Sequence, residues 1–579
     1  MIASNTFRPR SIRSLKRHLQ SCRSNSPPLR PDWGKNKVGE ARNRFSSKNS
    51  GVRSGDTIRY RHLTIQPFLR NADCLDTSGG DVFSGVVRRQ HTQTDAGRIR
   101  RTAAMSERID CDIAVIGAGA GGLAVAAGAA LLGARAVLVE RGRMGGTHLS
   151  YGCLPSKAIV SAARHAVSWR HAAKLGIQYE EPEVDFTAVM RHVKNTIAAV
   201  APNDSVERFT AMGVQVLQAE GRFTGPDTLT AGSVTIRARR FVIATGSRPL
   251  IPAVPGLAEV AYDTNETIFN LTERPVHLLV LGGDSGGVEL AQAFCRFGSK
   301  VTVVERGRCL PDEDPELSGL LLDSLRQDGV IIRERTELLR AETTVSGIVL
   351  TLRLPDGSED RIAGSHLLVA AGRKPNVEDL GLNAAGVEVG QRGIVVDDRL
   401  RTSNEKIYAI GDATGISRFT HTAEYHAGVV LKNTLFRLPT KADHAAVPRV
   451  TFGDPELASV GLTEEEARAK HGRITILRQQ FAANDRAQAE ARSEGLVKAI
   501  VGRSGRILGA GIVGPEAGDL LQPWILAMEK GLGIGALQAM VSPYPTRGEI
   551  AKRIAGDFYK PKLISPFTKK LVQFLARLG

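Results

Sequence analysis

Cysteine is scarce in this chain. Six are present, at Cys22, Cys74, Cys111, Cys153, Cys295 and Cys309. None forms a CxxC pair or a metal-spaced set, which argues against a disulfide scaffold and against a zinc site. Long apolar runs are also missing, so no segment reads as a membrane span. Acidic residues are absent from the first 31 positions, and no apolar core of a secretory signal accompanies them. The 579 residues exceed what a single hydrophobic core supports, so several domains are expected.

What is abundant is positive charge, in one place. Residues 1–104 hold 21 Lys and Arg against 7 Asp and Glu. Of the net +17, only +3 remains for residues 105–579. A basic nucleic-acid groove therefore has no support in the body. Residues 1–104 carry no sustained period of 2 or 3.6 and read as a basic, disordered extension. Three origins stay open for them: a chain that functionally begins at Met105, an organellar transit segment, or a disordered arm. The first places the body in the cytoplasm.

Two stretches carry nucleotide chemistry. The apolar strand Cys111–Ile116 runs into Gly117-Ala118-Gly119-Ala120-Gly121-Gly122 and an Ala-rich helix to about Leu132. A second strand, Ala136–Val139, ends in Glu140, 23 residues after Gly117. In such a turn Gly117 permits the sharp bend. Gly119 lets pyrophosphate reach the backbone, and Gly122 lets helix and strand pack closely. Glu140 is spaced to accept ribose hydroxyls.

The pattern recurs after the strand His277–Leu281. Gly282 and Gly287 hold the first and third glycine positions, and Glu305 follows Gly282 by 23 residues. Glu305 favours NADH, because it would repel a 2′-phosphate. The second glycine position is Asp284, which puts bulk and negative charge where pyrophosphate must approach. Either Asp284 weakens dinucleotide binding or the domain is a structural relic.

Between the two units lies "GGTHLSYGCLPSK", Gly145 to Lys157. Further marks are "FVIATGSRP" from Phe241, "LLVAAGRKPN" from Leu367, "IYAIGDATG" from Ile407, "DPELASVGLTEEEA" from Asp454, and "SPYPT" near the end. Together these resemble the FAD-dependent pyridine nucleotide-disulfide oxidoreductases over about residues 110–560. The branch in question contains dihydrolipoyl dehydrogenase and mercuric reductase.

The resemblance implies an α/β fold: two Rossmann-like dinucleotide-binding domains, for FAD and NAD, and a C-terminal α+β dimerisation domain. The expected boundaries are 105–270 and 396–446 for the FAD domain, 271–395 for the NAD(P) domain and 447–560 for dimerisation. It also implies that Gly146, Thr147, Lys157, Gly221, Thr245 and Gly246 line FAD. Asp412 would bond the ribityl chain, Gly411 would permit close approach, and Gly372 would touch the nicotinamide nucleotide. Lys157 would stand near the flavin and pair with Glu289, keeping a cation beside the ring. A homodimer is implied, with the segment Tyr544–Glu549 reaching the partner's flavin site.

Three positions depart from the family pattern. His148 stands at the distal redox cysteine, while Cys153 matches the proximal one. Tyr544 stands at the catalytic histidine, with the orienting glutamate kept as Glu549. Asp284 is the third. His148 cannot form the mixed disulfide that thiol exchange requires. Tyr544, with a pKa near ~10, is a poor base at neutral pH. A mercuric reductase role is weakened further by the absence of a vicinal C-terminal cysteine pair.

Three readings follow. The first is an NAD(P)H-dependent flavoprotein that serves a small electron acceptor without a redox disulfide. The second is a single-thiol enzyme in which Cys153 cycles and a nearby His148 lowers its pKa. The third is a non-catalytic FAD-binding dimer. Cys295 is expected in a helix core.

The tail, residues 561–579, reads as a basic amphipathic helix with Phe567, Leu571, Phe574, Leu575 and Leu578 at helical spacing. Packing on the body is the expectation, and peripheral membrane contact the alternative.

Overall fold

The fold is built around a mixed sheet with a parallel centre and a second, all-parallel sheet, joined at a narrow crossing. The computed structural model describes residues 107–345 and 347–578, all within the unit Leu69–Gly579. The expected basic extension, Cys22 and Cys74 lie outside the described residues.

The first sheet has the order Val214–Gln218, Ala136–Glu140, Arg108–Ile116, Val234–Ile243, Thr228–Ala231, Gly221–Gly225, with Ile407–Ala409 also pairing on Val234–Ile243. Its central members run parallel, registering Val115 with Leu138 and with Val242. Ile113–Ile116 are buried in succession rather than alternately, because helices and strands cover both faces. The helix Ala120–Leu131 packs closely through Gly121, Gly122, Ala126 and Ala129.

The second sheet orders Ile331–Arg333, Lys300–Val304, His277–Leu281 and His366–Val369, all parallel. The helix Ser285–Arg296 leaves its central strand and buries Val288, Leu290, Ala291 and Phe294. A C-terminal antiparallel sheet orders Pro448–Thr451, Glu456–Gly461, Ile507–Gly514, Leu496–Val501 and Thr475–Gln480. Its core includes Trp524, Ile550 and Ile554.

Two expected boundaries move. Leu257, Val260, Ile268 and Phe269, placed by sequence in the first domain, pack with the second sheet. Leu382, Ala385, Val387 and Ile394, placed in the second domain, pack with Cys111, Ile116 and Phe241 of the first. The chain changes domain near 250 and returns near 372, where Ser247–Pro249 pairs antiparallel with Arg373–Pro375. Sequence motifs mark nucleotide turns, whereas apolar packing decides which sheet a linker joins.

The tail is a second correction. The helix Pro566–Leu575 forms, capped by the Ser565 hydroxyl, but buries none of its residues against the body.

Candidate functional site

Both glycine turns are built alike. Gly117 (φ 102°) and Gly282 (φ 115°) sit in the left-handed region favouring glycine, and a Cβ on either would strike a carbonyl, of Ala244 or Ala370. A Cβ on Gly122 or Gly287 would collide with the carbonyl of Gly117 or Gly282. Glu140 accepts N–H bonds from Ala118 and Gly142, each at 2.6 Å. Glu305 repeats this with Gly283 and Gly307, each at 2.7 Å. The two carboxylates therefore hold their loops in place and keep lone pairs for further donors.

The second positions differ in space but not in backbone. Gly119 has φ −78° and ψ −180°, and a Cβ there would meet nothing within 4 Å. Asp284 has φ −70° and ψ 170°, an unstrained conformation for any residue. Its carboxylate makes no capping bond to the helix it precedes. Although more than a third of the residue is solvent-accessible, its pKa is raised, first by burial, then by Glu305 and Asp312, against an opposing effect of Arg418. Arg418 thus supplies an opposing cation that no local motif signals, because 134 residues separate it from Asp284 along the chain.

The segment after Glu140 folds back on the first turn. Gly145 N–H donates to Ala118 O at 2.9 Å, and a Cβ on Gly146 would press on Gly119 Cα. The short helix Gly146–Ser150 carries Thr147 and His148, and Cys153 opens the helix Cys153–Ala166. Lys157, one turn on, reaches Glu289 Oε2 at 2.7 Å and lies 4.3 Å from the Phe452 ring centroid. Glu289 is almost wholly buried, and its other oxygen accepts from Phe452 N–H at 2.8 Å. A buried carboxylate so saturated holds the Lys157 ammonium firmly.

His148 and Cys153 do not form a pair. His148 Nε2 lies 3.3 Å from Asp204 Oδ2, and its Nδ1 is buried without a partner. Cys153 is exposed, and its Sγ lies 3.3 Å from Thr420 Oγ1. Among the described residues, no hydrogen bond joins the expected pair of His148 and Cys153: the imidazole is directed to a carboxylate from the turn Ala201–Asp204 instead. The other described cysteines are no substitute. Burial raises Cys111 and Cys309 to about 12, and Cys295, partly buried rather than core, to about 11. Thiols held that high stay protonated and unreactive.

Thr245 and Asn376 exchange two hydrogen bonds, at 2.7 and 2.9 Å, which lock the FVIATGSRP turn to the GRKPN strand. Gly246 there leaves open space. Gly372 O accepts from Leu250 N–H at 3.0 Å across the same crossing. A Cβ on Gly221 would meet the Ile116 and Val139 side chains, each at 3.3 Å, at the ends of the strands Arg108–Ile116 and Ala136–Glu140. Asp412 accepts from Ser247 Oγ at 2.5 Å, with Arg373 Nε 3.7 Å away.

The Gly411 N–H donates to Nδ1 of fully buried His426 at 3.2 Å, and His426 Nε2 lies 2.7 Å from His444 Nε2. Because Nδ1 accepts, His426 is neutral with its proton on Nε2. Burial, then His444, depress it to about 4. Sequence reading missed Asp204, Ser247, Arg373, Asn376, Thr420 and His426. Ser247, Arg373 and Asn376 lie inside quoted motifs without being singled out there, whereas Asp204, Thr420 and His426 carry no local motif, and only the fold pairs them with their partners.

Tyr544 departs from expectation in its partner. Its hydroxyl donates to Asp485 at 3.1 Å, whereas Glu549 accepts from Arg553 at 3.2 Å. Among the described residues, no hydrogen bond joins Tyr544 to Glu549, Cys153 or Lys157.

The cradle over Gly119, the collision-tight Gly117 and Gly122, and the carboxylate of Glu140 fit an FAD pyrophosphate and ribose. The profile described as "Pyridine nucleotide-disulphide oxidoreductase" matches residues 111–427, and the dimerisation-domain profile of the same family matches 447–555. A mercuric reductase of Streptomyces lividans is 37% identical over 458 residues, covering 77% of this chain and 96% of that one. A dihydrolipoyl dehydrogenase of Geobacillus stearothermophilus is 33% identical, with coverage of 77% and 96%. Among solved structures, the Cu(II) complex of the HOCl-induced flavoprotein disulfide reductase RclA from Escherichia coli matches with a TM-score of 0.69 at 28% identity, covering 77% and 99%. Among the described residues, no helix is long and apolar enough to cross a membrane. With its paired nucleotide turns and C-terminal dimerisation domain, the chain belongs to the pyridine nucleotide-disulphide oxidoreductase family of NAD(P)H-dependent flavoprotein oxidoreductases.

Proposed function

We propose that this chain is an FAD-dependent homodimeric oxidoreductase that moves electrons between NAD(P)H and a small acceptor such as a quinone, without a redox disulfide. The observation that carries this reading is the separation of His148 and Cys153 onto different partners, Asp204 and Thr420. A thiol relay needs a second sulfur in exchange distance, and the other described cysteines are buried or half-buried thiols held protonated.

FAD, when bound, supplies a carrier that accepts two electrons from NAD(P)H and releases them singly or in pairs. The residues do the rest. Glu140, Gly119 and the helix Ala120–Leu131 would hold its ribose and pyrophosphate. Asp412, oriented by Ser247, would take the ribityl hydroxyls. Lys157, fixed by Glu289, would place a cation at the ring. Glu305 would take the ribose of the nicotinamide nucleotide and disfavour a 2′-phosphate, so NADH is the preferred reductant. The overall reaction balances as NAD(P)H, one proton and a quinone giving NAD(P)⁺ and the quinol.

A second reading rests on the exposure of Cys153, which leaves its thiol open to small oxidants. Anaerobic stopped-flow mixing with NADH tests both. Absence of flavin bleaching would end either enzyme reading. If it bleaches, Cys153→Ser decides: unchanged quinone turnover supports the direct reaction, and loss of peroxide reduction supports the thiol.

A further inference from the structure

The helix Pro566–Leu575 stands off the body with both faces exposed. At the α-helical period, Phe567, Leu571, Phe574 and Leu575 fall within an arc of about 100°, which Leu578, just past the helix end, would continue; Lys569 lies opposite it, and Lys570 and Arg577 flank it. Phe567 is 76% and Leu578 69% exposed, so the apolar arc has no cover among the described residues. It continues into Leu563 and Ile564, 59% and 60% exposed. An apolar strip this long on a folded domain marks an interaction surface.

Charge identifies the occupant. From Phe558 to Gly579 the sequence contains Lys560, Lys562, Lys569, Lys570 and Arg577 and no acid. A second copy of this helix would bring like charges together along the flanks of the apolar strip. The dimerisation-domain match also ends at residue 555, before the helix begins. A surface rich in anionic lipid meets both requirements: acyl chains take the apolar arc and headgroups take the lysines. Ten residues rise only about 15 Å, too short to span, so the helix would lie in the plane of the interface.

We infer that this C-terminal helix is a peripheral docking element for an anionic bilayer surface. The inference does not depend on which acceptor the flavin site serves.

The test is vesicle flotation of the full-length, FAD-loaded protein. The vesicles are phosphatidylcholine alone, or phosphatidylcholine mixed with phosphatidylglycerol. Binding is expected to the anionic vesicles only, and to weaken as salt is raised. The pair Phe567→Ser and Phe574→Ser is expected to lower it at least tenfold, as is the pair Lys569→Glu and Lys570→Glu. Residues 1–104 are also basic, so the variants carry the test. Equal binding by the parent and the phenylalanine variant would overturn the inference. So would no binding to anionic vesicles, equal binding to neutral ones, or conversion of a dimer to monomers by the phenylalanine changes, which would assign the face to a second copy.

Discussion

The Lys157 ammonium and the Glu289 carboxylate meet at 2.7 Å across 132 residues of sequence, joining the helix that begins at Cys153 to the helix that follows the second glycine turn. The pair ties the proposed flavin side of the site to the nucleotide domain. Replacing Lys157 with Met would leave the buried Glu289 with only the Phe452 N–H. The lysine is about a third exposed, so the expected cost is moderated to roughly 2 kcal/mol. Urea unfolding measures it. A Glu289→Gln variant should retain the Phe452 bond and lose less stability. Equal, negligible losses would show that the pair is only a surface contact.

Gly119 and Asp284 share a backbone conformation, so exchanging them is a matter of space and charge. Asp284→Gly and Asp284→Asn are expected to bind NADH about tenfold more tightly at neutral pH, a difference of about 1.4 kcal/mol. The pKa of Asp284 is raised, and phosphate nearby would raise it further. Binding should therefore take up a proton, and the parent's affinity should increase as pH falls through that titration. The Asp284→Asn variant has nothing to titrate at this position and should be flat. Calorimetric titration at several pH values, yielding the same slope in parent and Asp284→Asn, would sink this account.

The first turn gives a paired outcome. A Cβ on Gly122 collides with the Gly117 carbonyl, so Gly122→Ala should cost roughly 3 kcal/mol or more. Gly119→Ala meets no atom of the chain and has an ordinary φ, so stability should hold or rise by up to about 1 kcal/mol. Its FAD content after purification should nevertheless fall, because the methyl group occupies the cradle. Full FAD retention by the Gly119 variant would move the pyrophosphate site elsewhere.

His426 makes the Gly411 turn sensitive to acid. In the folded chain its pKa is depressed to about 4 from an ordinary 6.5, so the unfolded chain binds the proton first. Its contribution is complete above about pH 6.5 and is lost as pH falls towards and through about 4, a loss on the order of 3 kcal/mol. Protonation of Nδ1 also breaks the bond from Gly411 N–H. Flavin release on acidification should therefore begin below about pH 5. His426→Asn, whose Oδ1 takes the place of Nδ1 and can still accept from Gly411, should release flavin at lower pH. Superimposable release curves would rule out His426 as the cause.

Much of the fold is legible in the chain. The run Cys111–Ile116, the glycine spacing after it and Glu140 foretell a strand, turn and ribose acid because each requirement is local. The strand Arg108–Ile116 and the helix Ala120–Leu131 follow within a few residues of that reading. The same holds for His277–Leu281 and Glu305. The domain boundaries were less legible, since Leu257 and Leu382 carry apolar side chains that either sheet could bury.

The sequence by itself determined the two nucleotide turns, their carboxylates and the scarcity of sulfur beside Cys153, because these depend on residue identity and short spacing. Tertiary structure alone decided that His148 turns to Asp204 and Cys153 to Thr420, that Arg418 comes within range of Asp284, and that the C-terminal helix has no cover among the described residues. Those outcomes depend on which surfaces meet after the sheets close. Distance in the chain carries no information about such meetings.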